Sequence, residues 1–462
     1  MPSKNNSSAF VIATTSLAFV LSQLDVSIVN VALPQIGKSL HTGVSTLQWI
    51  VDAYTIAFAV LMLSAGGLSD LLGSKRLFQL GLLIFGIASV GCGSAWSPIA
   101  LVGFRTLQGV GSAIMIPSSL SILNHTFAND PVKRASAVSF WTAGGGVSIA
   151  AGPVLGGLLL HVASWRLIFF INVPICLAGL LFSLKLQESE KNENHGFDIP
   201  GQLLWAAALT ALIAAIIEWR QLGGSSPYIY GGIIFAVIML TLFLKREKSA
   251  SAPILPLSLF KSSNFNLLIG LGMVLNGTYY GTIFVLSLYL QEVLHYSGFS
   301  AGMAFLPLTA GFLVANLESG KLMKRYGIRV PILLGLVVFA IGYGLLLIAG
   351  PRTPYWKLLF PFLALPLGFG VAVPAMTTGT LATVDPNRSG IASAVLNTSR
   401  QAAGAIGVAV FGAMANGGES NIVGAVAKSA VISGIILLLY AALSHKYLQN
   451  SGTNNISASV SE

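Results

Sequence analysis

The chain has 462 residues, of which 54% are hydrophobic and only 9% are charged, against about 25% charged residues in ordinary soluble proteins. The apolar residues form repeated blocks of about 20, long enough to cross a membrane as helices and unlike the alternating strands of an outer-membrane barrel. A soluble fold is therefore excluded, and the formal charge of +10 indicates basic loops between apolar blocks, not a nucleic-acid surface.

The apolar blocks predict an all-α polytopic membrane protein with fourteen transmembrane helices. With the N-terminus in the cytoplasm, seventeen Lys and Arg residues fall on the cytoplasmic side and six on the outer side. Because basic loops stay on the cytoplasmic side, both termini are expected there. In chain order, the predicted helices cover residues 11–33, 46–66, 77–96, 99–121, 135–160, 165–184, 199–218, 228–245, 266–290, 300–320, 329–350, 356–380, 390–415 and 424–445.

A basic turn occurs twice in the sequence, after the second and after the tenth predicted helix. Aligning residues 65–76 with 319–330 pairs Gly73 with Gly327 and Lys75 with Arg329. Transporters with two related six-helix halves contain parallel repeats of this kind. The seventh and eighth helices carry no copy of the turn, so they are expected to be two extra helices, peripheral to transport.

The repeat predicts five regions in the chain. The two six-helix halves are separated by a linker that contains the extra helices, and both ends of the chain are short tails. The predicted regions are a cytoplasmic tail at 1–10, an N-terminal half at 11–184, a linker at 185–265, a C-terminal half at 266–446 and a cytoplasmic tail at 447–462.

A carboxyl group, Asp25, lies near the middle of the first predicted helix. An ionised carboxylate at the centre of a bilayer costs about 2.5–3.5 kcal/mol on insertion scales, so this side chain must face the protein interior or a watery cavity. A carboxyl that gains and loses a proton as a cavity alternates between faces is what proton coupling needs. The alternative is a protonated aspartate that hydrogen-bonds to a neighbouring helix for packing.

Other charged residues fall within or at the ends of predicted helices. Arg105 shares a helix face with Gln108 and cannot deprotonate, so it needs an acceptor or water, and backbone carbonyls could supply the acceptor. Arg400 is either a structural cation of the same kind or a functional one, and Glu318 either relays protons or pairs with Lys321 or Lys324 at the end of its helix. Three acids at outer helix ends are expected to be solvated, and these are Asp52, Glu218 and Glu292.

Two glycine-containing segments have an expected conformational role. Gly67 and Gly73 permit a tight turn, in which Asp70 can pair with a basic neighbour and latch the cytoplasmic side closed; a purely topogenic role for Lys75 and Arg76 is the alternative. The helix 5 segment combines close packing with a kink at Gly152, Pro153, Gly156 and Gly157.

Aromatic side chains on the spans could line a substrate cavity and bind a flat or cationic compound, although most aromatics in spans simply pack. The cavity candidates are Tyr54, Trp141, Tyr279, Tyr280 and the amide of Gln108. No metal site is expected, because Cys92 and Cys176 each lie inside an apolar block.

Several motifs resemble those of a known transporter family. Residues 67–76 (GLSDLLGSKR) are similar to the signature loop of the major facilitator superfamily, and further segments resemble its 14-helix drug:proton antiporter branch. These segments are 24–34 (LDVSIVNVALP), 105–111 (RTLQGVG), 152–157 (GPVLGG), 165–174 (WRLIFFINVP), 197–201 (FDIPG) and 288–291 (LYLQ). The resemblance implies a major facilitator fold, cation binding at Asp25, proton transfer involving Arg105 and, from the helix 5 pattern, antiport.

The resemblance implies a secondary transporter and not an enzyme. It would export lipophilic or cationic toxic compounds across the plasma (inner) membrane in exchange for protons, by alternating access. Its expected partners are the lipid bilayer, protons and a small-molecule substrate; it would use a proton gradient and no cofactor, act as a monomer and bind no nucleic acid. The alternatives are an exporter of one metabolite or siderophore, an importer running by symport, and a sensor or scaffold, which should carry a soluble signalling domain.

Overall fold

The structure is a computed structural model that describes residues 7–128, 130–188, 198–223, 225–250, 253–384 and 389–448. Over these residues the backbone is almost entirely helical and contains no strand. The predicted all-α fold is therefore confirmed, while the distal parts of both predicted tails lie outside the described residues.

The chain divides into two compact units, Met1–Leu255 with Gly298–Gly302, and Pro256–Ser297 with Met303–Glu462. The first unit contains nine helices over its described residues. They are α1 (Ser8–Ser39), α2 (Val44–Leu72), α3 (Ser74–Gly93), α4 (Pro98–Thr126), α5 (Pro131–Val162), α6 (Leu167–Phe170), α7 (Asn172–Ser183), α8 (Ile199–Leu222) and α9 (Pro227–Ser249).

The second unit starts with a 3₁₀ turn at Leu257–Lys261, and a π-helical turn at Tyr289–Val293 extends α10. Residues 298–302, at the start of α11, belong to the first unit. The remaining helices are α10 (Ser263–Leu288), α11 (Gly298–Ala304), α12 (Leu306–Tyr326), α13 (Arg329–Leu346), α14 (Tyr355–Ala382), α15 (Ser389–Ala415) and α16 (Glu419–Tyr447).

Each of the fourteen predicted segments contains a helix, but the count of fourteen spans is not confirmed. Eleven helices of the described chain are long and apolar enough to cross a membrane, or twelve if the bent helix α5 is one span. The segment predicted at 165–184 contains an apolar helix, Leu167–Ser183, that is shorter than the eleven and has one turn residue at Ile171. Helix α15 is not among the eleven, because the polar residues 397–401 lower its mean hydropathy.

Close backbone contact between α2 and α4 positions the polar groups of the first unit. A Cβ atom added at Gly109 of α4 would lie 2.3 Å from the carbonyl oxygen of Tyr54 of α2. Small residues at such crossings let two helices approach closely in a membrane. Because Arg105 lies one turn before Gly109, this crossing brings its side chain against the backbone of α2.

The second unit contains an equally close crossing. A Cβ atom added at Gly407 of α15 would lie 2.0 Å from the carbonyl oxygen of Gly277 of α10. This contact positions α15, which carries Arg400, against α10, which carries Tyr279 and Tyr280.

Candidate functional site

A buried ion pair joins α1 to α4 in the first unit. Arg105 Nη1 donates a hydrogen bond to Oδ2 of Asp25. The Asp25 side chain is 0% exposed and that of Arg105 is 1% exposed. Both charges are therefore removed from solvent, and each depends on its protein partners for stabilisation.

Two amides complete the surroundings of the Asp25 carboxylate. Its Oδ1 atom accepts from Nε2 of Gln108 across 3.3 Å and from Nδ2 of Asn172 across 3.1 Å. Arg105, Gln108 and Asn172 all act as donors toward Asp25. Because an ionised carboxylate is an acceptor only, this arrangement fits the charged form of the side chain.

Arg105 has further partners besides the aspartate. Its Nε donates to the carbonyl oxygen of Ile50 in α2 across 3.0 Å, and its Nη1 donates to Oε1 of Gln108 across 2.8 Å. The guanidinium carbon lies 4.4 Å from the centre of the Tyr54 ring, a cation–π geometry. The arginine thus links α1, α2 and α4 at one point.

A second layer of polar groups surrounds the two amides. Ser89 of α3 accepts from Gln108 across 2.8 Å and from Asn172 across 3.5 Å, while it donates to the carbonyl oxygen of Phe85. The Cys92 thiol donates to Oε1 of Gln108 across 3.2 Å. These contacts fix the amide of Gln108, whose oxygen and nitrogen both have partners.

A chain of three hydroxyl groups lies on the Tyr54 side of Arg105. The Tyr54 hydroxyl is 2.7 Å from Oγ of Ser22 and 2.8 Å from Oγ of Ser112, and all three side chains are buried. This chain connects α1, α2 and α4 through groups that can each donate or accept a proton.

The structure brings together four of the residues predicted from the sequence, namely Asp25, Tyr54, Arg105 and Gln108. Sequence reasoning missed Asn172, although this residue belongs to one of the family-like segments. A polar amide inside an apolar block was the available signal, because such groups in spans usually find a polar partner.

The two predicted coupling residues of the second unit do not join a comparable cluster. Glu318 is exposed, and its Oε1 accepts from Nζ of Lys321 across 2.6 Å. Arg400 is half-buried, its Nε has no hydrogen-bond partner within the described residues, and Tyr280 lies close enough to interact with it electrostatically. Whether Glu318 and Arg400 act in transport stays a prediction.

The aromatic cavity candidates are mostly packed against other rings. Trp141 is stacked on Phe19 at 4.1 Å between ring centres, and its indole N–H donates to Ser119. Tyr279 is stacked on Phe369 at 4.4 Å, with Tyr280 edge-on to it. Trp141 and Tyr279 are buried and Tyr280 is half-buried.

The basic turn of the first unit binds a carboxylate that the sequence did not indicate. Glu188 Oε1 accepts from the backbone N–H of Lys75 across 2.9 Å, and its Oε2 lies 3.7 Å from Nε of Arg76. The Lys75 ammonium donates to the carbonyl oxygens of Leu184 and Leu186. The predicted latch residues Gly67 and Asp70 are in α2, but their surroundings lie outside what the structure describes.

The glycines of the helix 5 segment pack α5 closely on its neighbours. A Cβ atom at Gly152 would lie 1.6 Å from Oγ of Ser27, and one at Gly156 would lie 3.0 Å from Cγ1 of Ile28, both on α1. Gly157 faces the backbone around Phe299. The helix bends by 42° between Ser136–Ile149 and Ala151–Val162, just before Pro153, so the expected combination of close packing and a kink is present.

The prediction that Asp52 is solvated is wrong. Its side chain is fully buried and neither carboxylate oxygen has a hydrogen-bond partner within the described residues. The reason is packing, since every residue of α2 from 51 to 60 is buried. Glu218 is half-buried and accepts from the indole N–H of Trp49, so it also differs from a freely solvated side chain.

Comparisons with known proteins agree with this architecture. Residues 15–408 match the family model described as Major Facilitator Superfamily. The chain is 36% identical to a methylenomycin A resistance protein of Bacillus subtilis, covering 87% of this chain and 86% of the relative. It is 33% identical to the multidrug resistance protein Stp of Mycobacterium tuberculosis, covering 89% of this chain and 76% of the relative.

Two further comparisons extend the list of similar proteins. The chain is 34% identical to a puromycin resistance protein of Streptomyces alboniger, with 87% of this chain and 80% of the relative covered. A crystal structure of the nucleoside transporter NupG matches with a TM-score of 0.66 over 95% of this chain and 100% of that chain. At 13% identity, this last match supports the fold alone.

Proposed function

The chain belongs to the major facilitator superfamily and is a multi-pass membrane protein, and we propose that it exports drugs in exchange for protons. Relatives named for resistance to methylenomycin and puromycin, and for multidrug resistance, support export of toxic small molecules. The substrates are lipophilic or cationic compounds. The protein acts as a monomer in the plasma (inner) membrane, with both termini in the cytoplasm and the proton gradient as its energy source.

The observation that carries proton coupling is the buried ion pair between Asp25 and Arg105. A carboxylate that is fully buried beside one cation can lose its charge by binding a proton, and this removes the charge attraction between α1 and α4. Arg105 keeps the Ile50 carbonyl, the Gln108 oxygen and the Tyr54 ring as partners. The proton on Asp25 therefore changes the contact between two helices without leaving the arginine unpaired.

Antiport results when the substrate and a proton on Asp25 compete for the same state of the Asp25–Arg105 pair, so that the protein binds one or the other. With Asp25 ionised, α1 is bound to α4; with Asp25 protonated, that bond is weakened and the alternate conformation becomes accessible. A proton that enters from the acidic outer side and leaves into the cytoplasm drives one cycle. The proton can shift the equilibrium between the two conformations only by as much free energy as its affinity for them differs.

A dedicated exporter of one compound is the second candidate. Some relatives are named after a single antibiotic, such as methylenomycin A and puromycin. Export of one structural class and no other would identify this narrower function, with the same coupling at Asp25.

Transport into membrane vesicles with an imposed pH gradient tests the proposal. Wild-type protein should move a fluorescent lipophilic cation against its gradient, and Asp25→Asn should abolish the response to the pH gradient while the protein remains in the membrane. The matched control is Glu419→Gln, which alters an exposed acid at the start of α16 and should transport normally. Full proton-driven transport by well-folded Asp25→Asn protein would overturn the coupling role.

A further inference from the structure

One of the two amides that donate to Asp25 has an oxygen atom without a partner among the described residues. The Oδ1 atom of Asn172 is buried and accepts no hydrogen bond from any described residue. The other amide at Asp25 differs, because Oε1 of Gln108 accepts from both Arg105 and Cys92. A buried amide oxygen without a donor is costly and uncommon in folded proteins.

The position of this oxygen matters because of what surrounds Asp25. Among the described residues, the groups that bond to its carboxylate are Nη1 of Arg105, Nε2 of Gln108 and Nδ2 of Asn172, and all three are donors. A protonated Asp25 carries an O–H group, which would then face N–H groups. The protonated state needs an acceptor that the structure does not place there in this conformation.

We propose that Asn172 supplies this acceptor by turning its carboxamide half a turn when Asp25 is protonated. The nitrogen then leaves Oδ1 of Asp25, and the amide oxygen accepts the carboxylic O–H in its place. Asn172 is a positioning residue that stabilises both protonation states of Asp25 in turn. The inference rests on the proposed function, because it requires Asp25 to bind the coupled proton.

The balance of hydrogen bonds supports such an exchange. Within the described residues, the oxygen of Asn172 is unpaired in the present orientation; after the turn its NH₂ group is unpaired instead, while the Ser89 hydroxyl, now 3.5 Å from the nitrogen, keeps its bond to the carbonyl oxygen of Phe85. Each orientation leaves one end of the amide without a partner. The proton on Asp25 therefore decides which orientation is favoured.

The other ionisable groups near Asp25 do not offer the same function. Arg105 has donors only, and the groups that interact with the Asp25 charge from α2, α3 and α7 are Tyr54, Cys92 and Cys176. The Tyr54 hydroxyl is engaged with Ser22 and Ser112. The phenol and thiols are neutral near pH 7 at their ordinary pKa values, so within the described chain Arg105 is the charged neighbour of Asp25.

Asn172 reaches Asp25 from the sixth predicted span. Residue 171 interrupts the helix between α6 and α7, and Asn172 is the first residue of α7. Its Nδ2 atom lies 3.1 Å from Oδ1 of Asp25 on α1.

Infrared difference spectroscopy between high and low pH tests the exchange. The carbonyl stretch of protonated Asp25, identified by its loss in Asp25→Asn, lies at lower frequency when its O–H is hydrogen-bonded. We expect this band to move to higher frequency in Asn172→Leu and to return toward its wild-type position in Asn172→Ser, whose hydroxyl can accept. The matched control Asn276→Leu removes an amide that bonds within its own helix to Gly272 and should leave the band in place.

Wild-type protein with carbon-13 in its asparagine side chains gives a second measurement that needs no variant to fold. Its difference spectrum should contain an asparagine carbonyl band that shifts with the Asp25 band over the same pH range. An Asp25 band that is unchanged in Asn172→Leu, or the absence of the asparagine shift, would overturn the inference. Absence of any Asp25 band at all would instead overturn the proposed coupling.

Discussion

The indole N–H of Trp49 donates to Oε1 of Glu218 across 2.8 Å and thereby joins α2 to α8. Ser45 donates to the same oxygen across 3.3 Å. At the opposite end of α8, the amide nitrogen of Gln202 donates to the carbonyl oxygen of Val60 across 2.5 Å. The first of the two predicted extra helices is thus bound to α2 by polar contacts near both of its ends.

Removing the Glu218 carboxylate should lower the stability of the protein and leave its transport rate nearly unchanged. Glu218→Ala leaves the Trp49 N–H without its acceptor, and because both side chains are half-buried the loss lies at the lower end of the about 1–3 kcal/mol found for buried polar groups. We expect a lower melting temperature in detergent and a near-normal transport rate per folded molecule, because α8 and α9 are predicted to be peripheral to transport. Glu218→Gln retains an acceptor oxygen and is the matched control. Loss of transport at unchanged melting temperature would contradict this expectation.

The buried pair of Asp25 and Arg105 should behave as a coupled unit. Arg105→Gln leaves a buried carboxylate without its cation, and breaking a buried pair in this way costs about 3–5 kcal/mol. Asp25→Asn is also costly, because its NH₂ group faces one of the former donors and Arg105 loses its anion, but the double variant contains neither buried charge. We therefore expect the double variant Asp25→Asn/Arg105→Gln to melt at a higher temperature than Arg105→Gln alone.

A second arginine provides the control for that double-mutant cycle. Arg166 donates to the carbonyl oxygens of Gly93 and Ala95 and has no acidic partner among the described contacts. Arg166→Gln should destabilise the protein without being rescued by Asp25→Asn. Equal effects of Asp25→Asn in both arginine variants would show that the two residues contribute independently.

The basic turn should control the rate of conformational exchange. Gly73 has φ +95°, and an added Cβ atom would lie 2.6 Å from Oε1 of Glu188, so Gly73→Val forces the turn to change at a cost of about 1–3 kcal/mol. We expect slower transport with unchanged substrate affinity, measured by transport and equilibrium binding on the same preparation. Gly320→Ala, where an added Cβ atom has open space, is the control. Weaker substrate binding with an unchanged rate of conformational exchange would show that the turn affects substrate binding and not the exchange.

The helices and the family were accessible from the sequence because they depend on repeated local patterns. Apolar blocks of membrane-spanning length and short motifs such as residues 67–76 do not require knowledge of three-dimensional contacts. The same reasoning identified Asp25 and Arg105, because charged groups in spans are costly and must have a reason to be there. Their direct pairing was not predicted, since it depends on the packing of α1 beside α4, which no local pattern specifies.

The missed residues show where local patterns are insufficient. Asn172 reaches Asp25 from α7, and the apolar run that contains it does not indicate which neighbouring helix its side chain faces. Glu188 reaches the turn at Gly73 from a segment more than one hundred residues later in the sequence. Asp52 lies in a helix end that the pattern assigns to the interface, whereas packing buries it completely. Each error concerns a tertiary contact.

The contact between Gly152 and Ser27 should be necessary for the movement of α1 against α5. An added Cβ atom at Gly152 would lie 1.6 Å from Oγ and 2.7 Å from Cβ of Ser27, and Ser27 is two residues from Asp25 on the same helix. Gly152→Ala must therefore separate the two helices and displace Asp25, the proposed coupling residue. We expect a loss of proton-driven transport of at least about tenfold, equivalent to 1.4 kcal/mol, in vesicles with an imposed pH gradient.

A compensating change distinguishes this steric mechanism from a general effect of altering a glycine. Ser27→Gly removes the atoms that the new methyl group would meet, so Ser27→Gly/Gly152→Ala should transport better than Gly152→Ala alone. The control is Gly103→Ala on α4, where an added Cβ atom meets no described atom within 4 Å and transport should be unchanged. The remaining contact at the backbone nitrogen of Ile28, 3.1 Å from the added Cβ atom, makes the expected rescue partial. No rescue at all would mean that Gly152 is needed for backbone flexibility at the bend in α5 and not for close packing against α1.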